Sequence, residues 1–156
     1  MSINLNDLRN KFDTQVLVSV ATGTSSIAIN TFSVQGDVVT NGWTNSNNVP
    51  AGEFVLECDF TTAPAASLPI NLYSRLLSIE GSGNAPQPTL SYSHQLIGVF
   101  LVDAVGTSVT QFLHASATLP SVNASQVYEF YIENATNQAI NAGWKLFVTP
   151  KTIGPL

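Results

Sequence analysis

The sequence has very few charged residues and a single cysteine. Charged side chains make up 10% of its 156 residues, against about 25% in an average globular protein. Ten Asp and Glu outnumber five Lys and Arg, which gives a net charge of −5, and the cations form no cluster. Because nucleic acids and anionic membranes are bound through clustered cations, we predict neither kind of partner. Cys58 has no second cysteine, so no internal disulfide is expected.

Long apolar runs are also missing. Met1 is followed by "SINLNDLRNKF", which lacks the apolar core of a secretion signal, so we expect no such signal. The longest nearly uninterrupted apolar run, "LIGVFLVDAV", is too short to span a bilayer. The length and the 44% hydrophobic content nevertheless suffice for one domain with a buried core.

Uncharged polar residues take the place of the missing charges. Ser, Thr and Asn together supply 45 of the 156 residues. Thr packs well in strands, and Asn and Ser favour turns. Surface helices, in contrast, usually carry many Glu, Lys and Arg residues. The composition therefore favours strands joined by turns.

The hydrophobic pattern predicts an all-β protein. In "EFVLECDF" the apolar residues alternate with Glu53, Glu57 and Asp59, which is typical of a half-buried strand. About eight such segments occur, and none is separated from the next by a helical pattern. They are 15–20, 26–34, 53–60, 72–81, 94–104, 109–116, 126–133 and 143–149. We predict an antiparallel β-sandwich of two sheets, with a jelly roll favoured by the strand count.

The pattern also predicts which strands pair, where a long loop lies and which residues form the core. Segment 94–104 is apolar on both faces, which predicts a central strand or an interface, and we expect it to pair with 109–116. The last two segments are expected to form a hairpin that closes the sandwich. Residues 35–52 read as a long loop with Trp43 as an exposed aromatic. The predicted core includes Phe54, Leu56, Phe60, Phe100, Phe130, Ile132, Trp144 and Leu146.

The chain divides into three predicted parts: an N-terminal arm (1–13), a β-sandwich domain (14–149) and a C-terminal tail (150–156). Leu5, Leu8 and Phe12 have helical spacing, so the arm is expected to hold a short helix over residues 4–12 or to dock as an arm. Pro150 and Pro155 favour an extended tail that loses little entropy on docking.

Residues with catalytic potential are sparse. His94 and His114 lie at strand ends, but a metal site needs three or more converging ligands, so no metal or cofactor is expected. No nucleophile motif of the G-x-S-x-G type occurs. Glu129 and Glu133 share one side of their strand, and paired carboxylates occur in glycosidases. The aromatic residues Trp43, Tyr73 and Tyr92 are candidates for binding a carbohydrate, or else for filling the core.

The C-terminal half resembles small virion structural proteins of tailed bacteriophages. The succession "LYSRLLSIEG", "SHQLIGVFLVD" and "YEFYIENATNQAINAGWKLFVTPKTIGP", over roughly residues 70–155, carries this resemblance. It implies a non-enzymatic decoration (cement) protein, made in the host cytoplasm and located on the virion, with the head surface favoured. Its implied partners are the major capsid protein and further copies of itself, with a homotrimer favoured.

Within this hypothesis, the candidate partner or assembly contacts lie mainly in the arm, the tail and the exposed-looking loop. They are Leu5, Leu8, Arg9, Phe12, Trp43, Lys145 and Lys151. The alternative function is a carbohydrate- or receptor-binding β-sandwich module, with the phage tail as one location.

Overall fold

A computed structural model describes residues 8–80 and 82–155, which form two antiparallel sheets. Ten strands occur in this part of the chain, two of them only two or three residues long, where the sequence predicts about eight. The strands are β1 (Leu8–Phe12), β2 (Val16–Val20), β3 (Thr31–Phe32), β4 (Trp43–Asn45), β5 (Ala51–Cys58), β6 (Pro69–Leu77), β7 (Leu96–Leu101), β8 (Gln111–Thr118), β9 (Gln126–Asn134) and β10 (Lys145–Pro155). Two short 3-10 turns lie at Gln35–Asp37 and Ser93–Gln95.

In the described part of the chain, each sheet contains five strands, four of them in a row and a fifth that pairs with another part of one of these four. Sheet I has the order β1-β10-β5-β8, with β2 beside β1 on the same side of β10. Sheet II has the order β3-β9-β6-β7, with β4 beside β3 on the same side of β9. The two-sheet all-β prediction is confirmed. The chain crosses repeatedly between the sheets, as the jelly-roll prediction requires, and the jelly roll itself stays a prediction.

The core lies between the inner faces of the two sheets. β5 alternates buried and half-buried residues along its whole length, as its sequence predicts. The rings of Phe54 in sheet I and Phe130 in sheet II meet edge to face, with 5.0 Å between their centroids. All eight residues of the predicted core are at most 1% exposed.

The predicted hairpin between the last two strands is wrong. β9 belongs to sheet II and β10 to sheet I, so the two strands face each other instead of pairing. Each has one apolar row, represented by Phe130 and Leu146, and burying both rows places the strands in opposite layers. The ten-residue connection between them, 135–144, is long enough to cross the roughly 10 Å between packed sheets. The predicted pairing of 94–104 with 109–116 fails similarly, because β7 and β8 lie in different sheets.

The predicted N-terminal helix is not present over residues 8–12, which form strand β1; residues 4–7 lie outside the described part. Leu8, Asn10 and Phe12 alternate with Arg9 and Lys11, so the segment fits a strand as well as a helix. Pairing with β10 satisfies the backbone groups along one edge of β1 and decides between the two. On the other side of the pair, β10 runs without a break across the predicted boundary at 149/150.

Candidate functional site

The two predicted arms lie together. β1 pairs with the second half of β10, from Leu8 opposite Pro155 to Phe12 opposite Lys151. On the other side of β10, pairing with β5 ends where Lys151 meets Ala51. Within the described residues, 8–11 and 152–155 therefore pair only with each other. We call residues 8–12 and 151–155 the β1–β10 ribbon.

The β1–β10 ribbon is basic, although the chain is acidic. Arg9, Lys11 and Lys151 are three of the five cations of the sequence, and the ribbon contains no Asp or Glu. The rest of the chain holds two cations and all ten acidic residues. Charge is thus separated between the ribbon and the sandwich.

The base of the ribbon is tied to the outer face of sheet I. Lys151 Nζ lies 2.7 Å from Glu53 Oε1 and 5.7 Å from the centre of the Phe12 ring. The hydrogen bonds from Lys151 and Ser116 lower the pKa of Glu53. Phe12 remains 54% exposed. On the same face, Lys145 Nζ lies 3.1 Å from Glu57 Oε1. The structure therefore brings three candidate contacts, Phe12, Lys145 and Lys151, to one face, and both lysines have partners there.

The remaining candidates are placed differently. Leu5 lies outside the described residues, and Leu8 and Arg9 belong to β1. Trp43 is half-buried, so the prediction of an exposed aromatic is wrong. Its ring packs against Tyr128 and Phe130, at centroid distances of 5.7 and 6.1 Å, because β4 pairs with β9 and draws the indole onto the core.

The outer face of sheet II carries a buried ionic cluster. Arg75 Nη1 and the Tyr131 hydroxyl both donate to Glu129 Oε2, each at 2.7 Å, and Gln35 Nε2 donates to Glu129 Oε1 at 2.6 Å. Arg75 also donates through Nε to the Ala85 carbonyl at 2.7 Å. Burial acts to lower the pKa of Arg75, but the hydrogen bond and the charge of Glu129 raise it overall. Burial, together with Glu129, raises the pKa of Tyr131. The cluster holds segments 33–37 and 85–87 against the sheet.

Glu133 forms a second polar group on this face. It accepts from Asn71 Nδ2 at 2.9 Å and from the Tyr73 hydroxyl at 3.0 Å. Burial and this carboxylate raise the pKa of Tyr73 to about 12. Glu133 lies four positions after Glu129 along the strand, which corresponds to roughly 13 Å of backbone rise. The two carboxyl groups of a glycosidase lie roughly 5–9.5 Å apart; here each carboxylate accepts hydrogen bonds from its own neighbouring side chains.

β7 is an edge strand of sheet II rather than the central strand that its composition predicts. Its outward residues Leu96, Val99 and Leu101 are 40%, 41% and 59% exposed. The strand LIGVFL contains no charge and no proline, the residues that usually protect sheet edges. The second reading of segment 94–104, an interface, stays a prediction.

The groups considered for catalysis are dispersed. Burial, then the charge of Asp59, raises the pKa of the Cys58 thiol to about 12, so little thiolate forms near neutral pH. His114 Nε2 lies 3.4 Å from Glu53 on the open face of sheet I. His94 and Ser74 line one small pocket of about 70 Å³, but no hydrogen bond joins them in the described structure. In residues 8–80 and 82–155, no three His, Cys, Asp or Glu side chains are grouped to hold a metal.

Sequence reasoning did not find the β1–β10 ribbon, although the alternation in "LRNKF" was a signal for it. It placed Glu129 and Glu133 on one side of a strand, which agrees with the structure, but gave no sign that this side is covered. Among the described residues, no helix has the length and apolar character needed to cross a membrane.

Comparisons with known proteins do not assign this chain to a family. The chain matches no protein-family model, and no curated protein or solved structure matches it significantly. The resemblance to virion proteins of tailed phages therefore stays a prediction.

Proposed function

We propose that this chain is a non-enzymatic structural protein of a tailed-phage virion, a head decoration protein that binds the shell of major capsid protein as a homo-oligomer. The observation that carries the proposal is the β1–β10 ribbon. A two-stranded ribbon is marginally stable in water without a third strand or another packed element. Residues 8–11 and 152–155 have only each other in the described part of the chain, so docking on a neighbour is the natural source of stability.

The ribbon has two means of binding a neighbour. Within the described residues, the outer edge of β1 pairs with no strand, and it offers backbone groups to an extended segment, which is a common mode of recognition between proteins. Arg9 and Lys11 add positive charge, which favours an acidic docking surface and speeds encounter at low salt. This pairing of a basic ribbon with an acidic partner suits attachment to an assembled shell.

Contacts between copies have a separate candidate surface, the β7 edge. Because the exposed side of β7 has no charged residue, two copies can approach there without repulsion between like charges. A closed oligomer such as a trimer requires each copy to offer complementary edges or patches to its neighbour. We assign the β7 edge to the contact between copies, and the ribbon to the contact with the shell.

The test compares wild-type protein with a variant lacking residues 2–12 for co-sedimentation with undecorated shells of the major capsid protein from the same genome. We expect wild-type protein to bind saturably and the truncated protein to lose at least tenfold in affinity, about 1.4 kcal/mol. The truncated sandwich should stay folded, because β10 keeps its pairing with β2 and β5. A circular dichroism spectrum and a urea midpoint check this point.

A matched pair of charge variants separates docking from folding. Lys11→Gln removes one positive charge from the ribbon, whereas Ala124→Glu lowers the net charge by the same amount at an exposed residue of the sandwich body. We expect the first to weaken shell binding and the second to leave it nearly unchanged. Equal shell binding by wild-type and truncated protein would refute the ribbon's role, as would unfolding of the truncated protein. A wild-type protein that binds no shells and stays monomeric would refute the decoration function.

A further inference from the structure

A pocket of about 200 Å³ opens beside Trp43, next to the base of the ribbon. Trp43 and Thr44 of β4 line one side of it, and Asp13, Val16 and Pro150 line the other. Val16 belongs to β2 and Pro150 to β10, so the pocket lies where sheet I approaches the edge of sheet II at β4.

The loop after β4 closes this pocket through a buried asparagine. Asn45 is 1% exposed, and its side chain both donates to the Val49 carbonyl and accepts from the Val49 amide, each at 2.9 Å. These two bonds fix the turn 45–49 and hold Asn47 over the pocket. Asn47 Nδ2 then donates to Asp13 Oδ2 at 3.3 Å, which joins the two sides of the rim.

The position of the Trp43 ring is fixed from the opposite side. Gly42 has a φ of +71°, and a Cβ at this position would lie 2.6 Å from the Tyr128 carbonyl oxygen. Only glycine allows β4 to approach β9 this closely. The indole then rests on Tyr128 and Phe130. A ligand thus meets an aromatic ring that is already ordered, which reduces the entropy cost of binding.

We propose that this pocket binds one ring of a neutral saccharide in the pyranose form. An aromatic wall suits the C–H face of a sugar ring, while a carboxylate and an amide on the rim can accept and donate hydrogen bonds with its hydroxyl groups. The volume is below the roughly 300–1,000 Å³ of pockets for drug-sized ligands, so it suits a single ring. The negative charge of Asp13 disfavours an anionic sugar such as a uronate.

The two tryptophans provide a built-in comparison for the test. Trp43 lines the pocket, whereas Trp144 is 1% exposed in the core. The indole N–H signals of full-length protein are followed by NMR during titration with glucose, galactose, mannose, N-acetylglucosamine and glucuronate. We expect at least one neutral sugar to shift the Trp43 signal saturably, with a dissociation constant of about 1 mM, and to leave the Trp144 signal in place.

Variants of the rim test the residues. Asp13→Ala and Asn47→Ala change exposed side chains and should keep the fold, but each should weaken sugar binding by about fivefold or more. Asp103→Ala, another exposed carboxylate, is the matched control and should bind as wild type. The proposal is overturned if no neutral sugar shifts Trp43 saturably, if both rim variants bind normally, or if glucuronate binds most tightly. The titration contains no shells, so its result is independent of the decoration function.

Discussion

The outer faces of the two sheets carry the same kinds of ion pairs, and the pair on sheet II is the more deeply buried. On sheet I, Glu53 and Glu57 pair with Lys151 and Lys145, whose side chains are 25% and 41% exposed. On sheet II, Glu129 pairs with Arg75, and their own side chains are only 7% and 15% exposed. Tyr131 beside them is 2% exposed. The difference teaches that a strand with charges on one side does not by itself place that side in water.

The covering segments account for the contrast. On sheet II, the 3-10 turn at 35–37 and the segment 85–87 supply Gln35 and the Ala85 carbonyl as hydrogen-bond partners of the ions. On sheet I, the partners come from neighbouring strands of the same sheet. Buried ions are costly unless they are fully paired, whereas exposed pairs contribute roughly 0–1 kcal/mol. We therefore expect substitutions in the sheet II cluster to lower the free energy of unfolding more than substitutions in the sheet I pairs.

The largest effect is expected when the buried pair loses one member. Glu129→Leu leaves the half-buried Arg75 without its carboxylate, and we expect the free energy of unfolding to fall by about 3 kcal/mol. The double variant Arg75→Met/Glu129→Leu removes both charges and should recover much of that loss. Urea denaturation of the wild-type protein, both single variants and the double variant completes the cycle. A loss below about 0.5 kcal/mol in Glu129→Leu would show that sheet II does not differ from sheet I.

An intermediate effect is expected from the phenol beside the pair. Tyr131→Phe keeps the packing of the ring but removes the hydroxyl that donates to Glu129 at 2.7 Å. Because the acceptor is charged and buried, we expect a loss of about 1.5 kcal/mol. The matched control is Tyr92→Phe, which removes a hydroxyl from a half-buried tyrosine outside the cluster. Equal urea midpoints for the two variants would count against a special role of the cluster.

The smallest effect is expected on sheet I and depends on pH. The folded pKa of Glu53 is lowered below its usual 4.5, so the carboxylate stabilises the folded state above pH 4.5. This contribution is lost as the pH falls through the lowered folded value. We expect wild-type protein to be more stable than Glu53→Gln at pH 7, by less than about 1 kcal/mol. Denaturation at pH 7 and pH 3 should show the gap closing; a gap that widens in acid would contradict the assignment.

The sequence predicted the burial within strands better than their arrangement. The alternation in β5 correctly places Phe54 and Leu56 inside, since a period of two assigns faces without knowledge of neighbours. The same rule places Glu129, Tyr131 and Glu133 together. It gives no information about Gln35 or Ala85, which come from segments far away in the chain.

The candidate surfaces were predicted even less completely. Trp43 was singled out from sequence, but its pocket needs Asp13 from the start of the sandwich and Pro150 from its last strand. The uniform apolar character of β7 was read as either central burial or an interface, and the strand lies at an edge. Composition measures how apolar a strand is, while its position depends on which strands pair beside it.

The sequence by itself determined that this protein is all-β, which residues form the core and which sides of the strands are polar. These properties follow from local periodicity and composition. Only the tertiary structure decided that β9 and β10 face each other, that residues 8–12 join residues 151–155, and that one outer face is covered. Backbone pairing depends on hydrogen bonds between residues distant in sequence, and the side-chain pattern of either segment alone does not specify its partner.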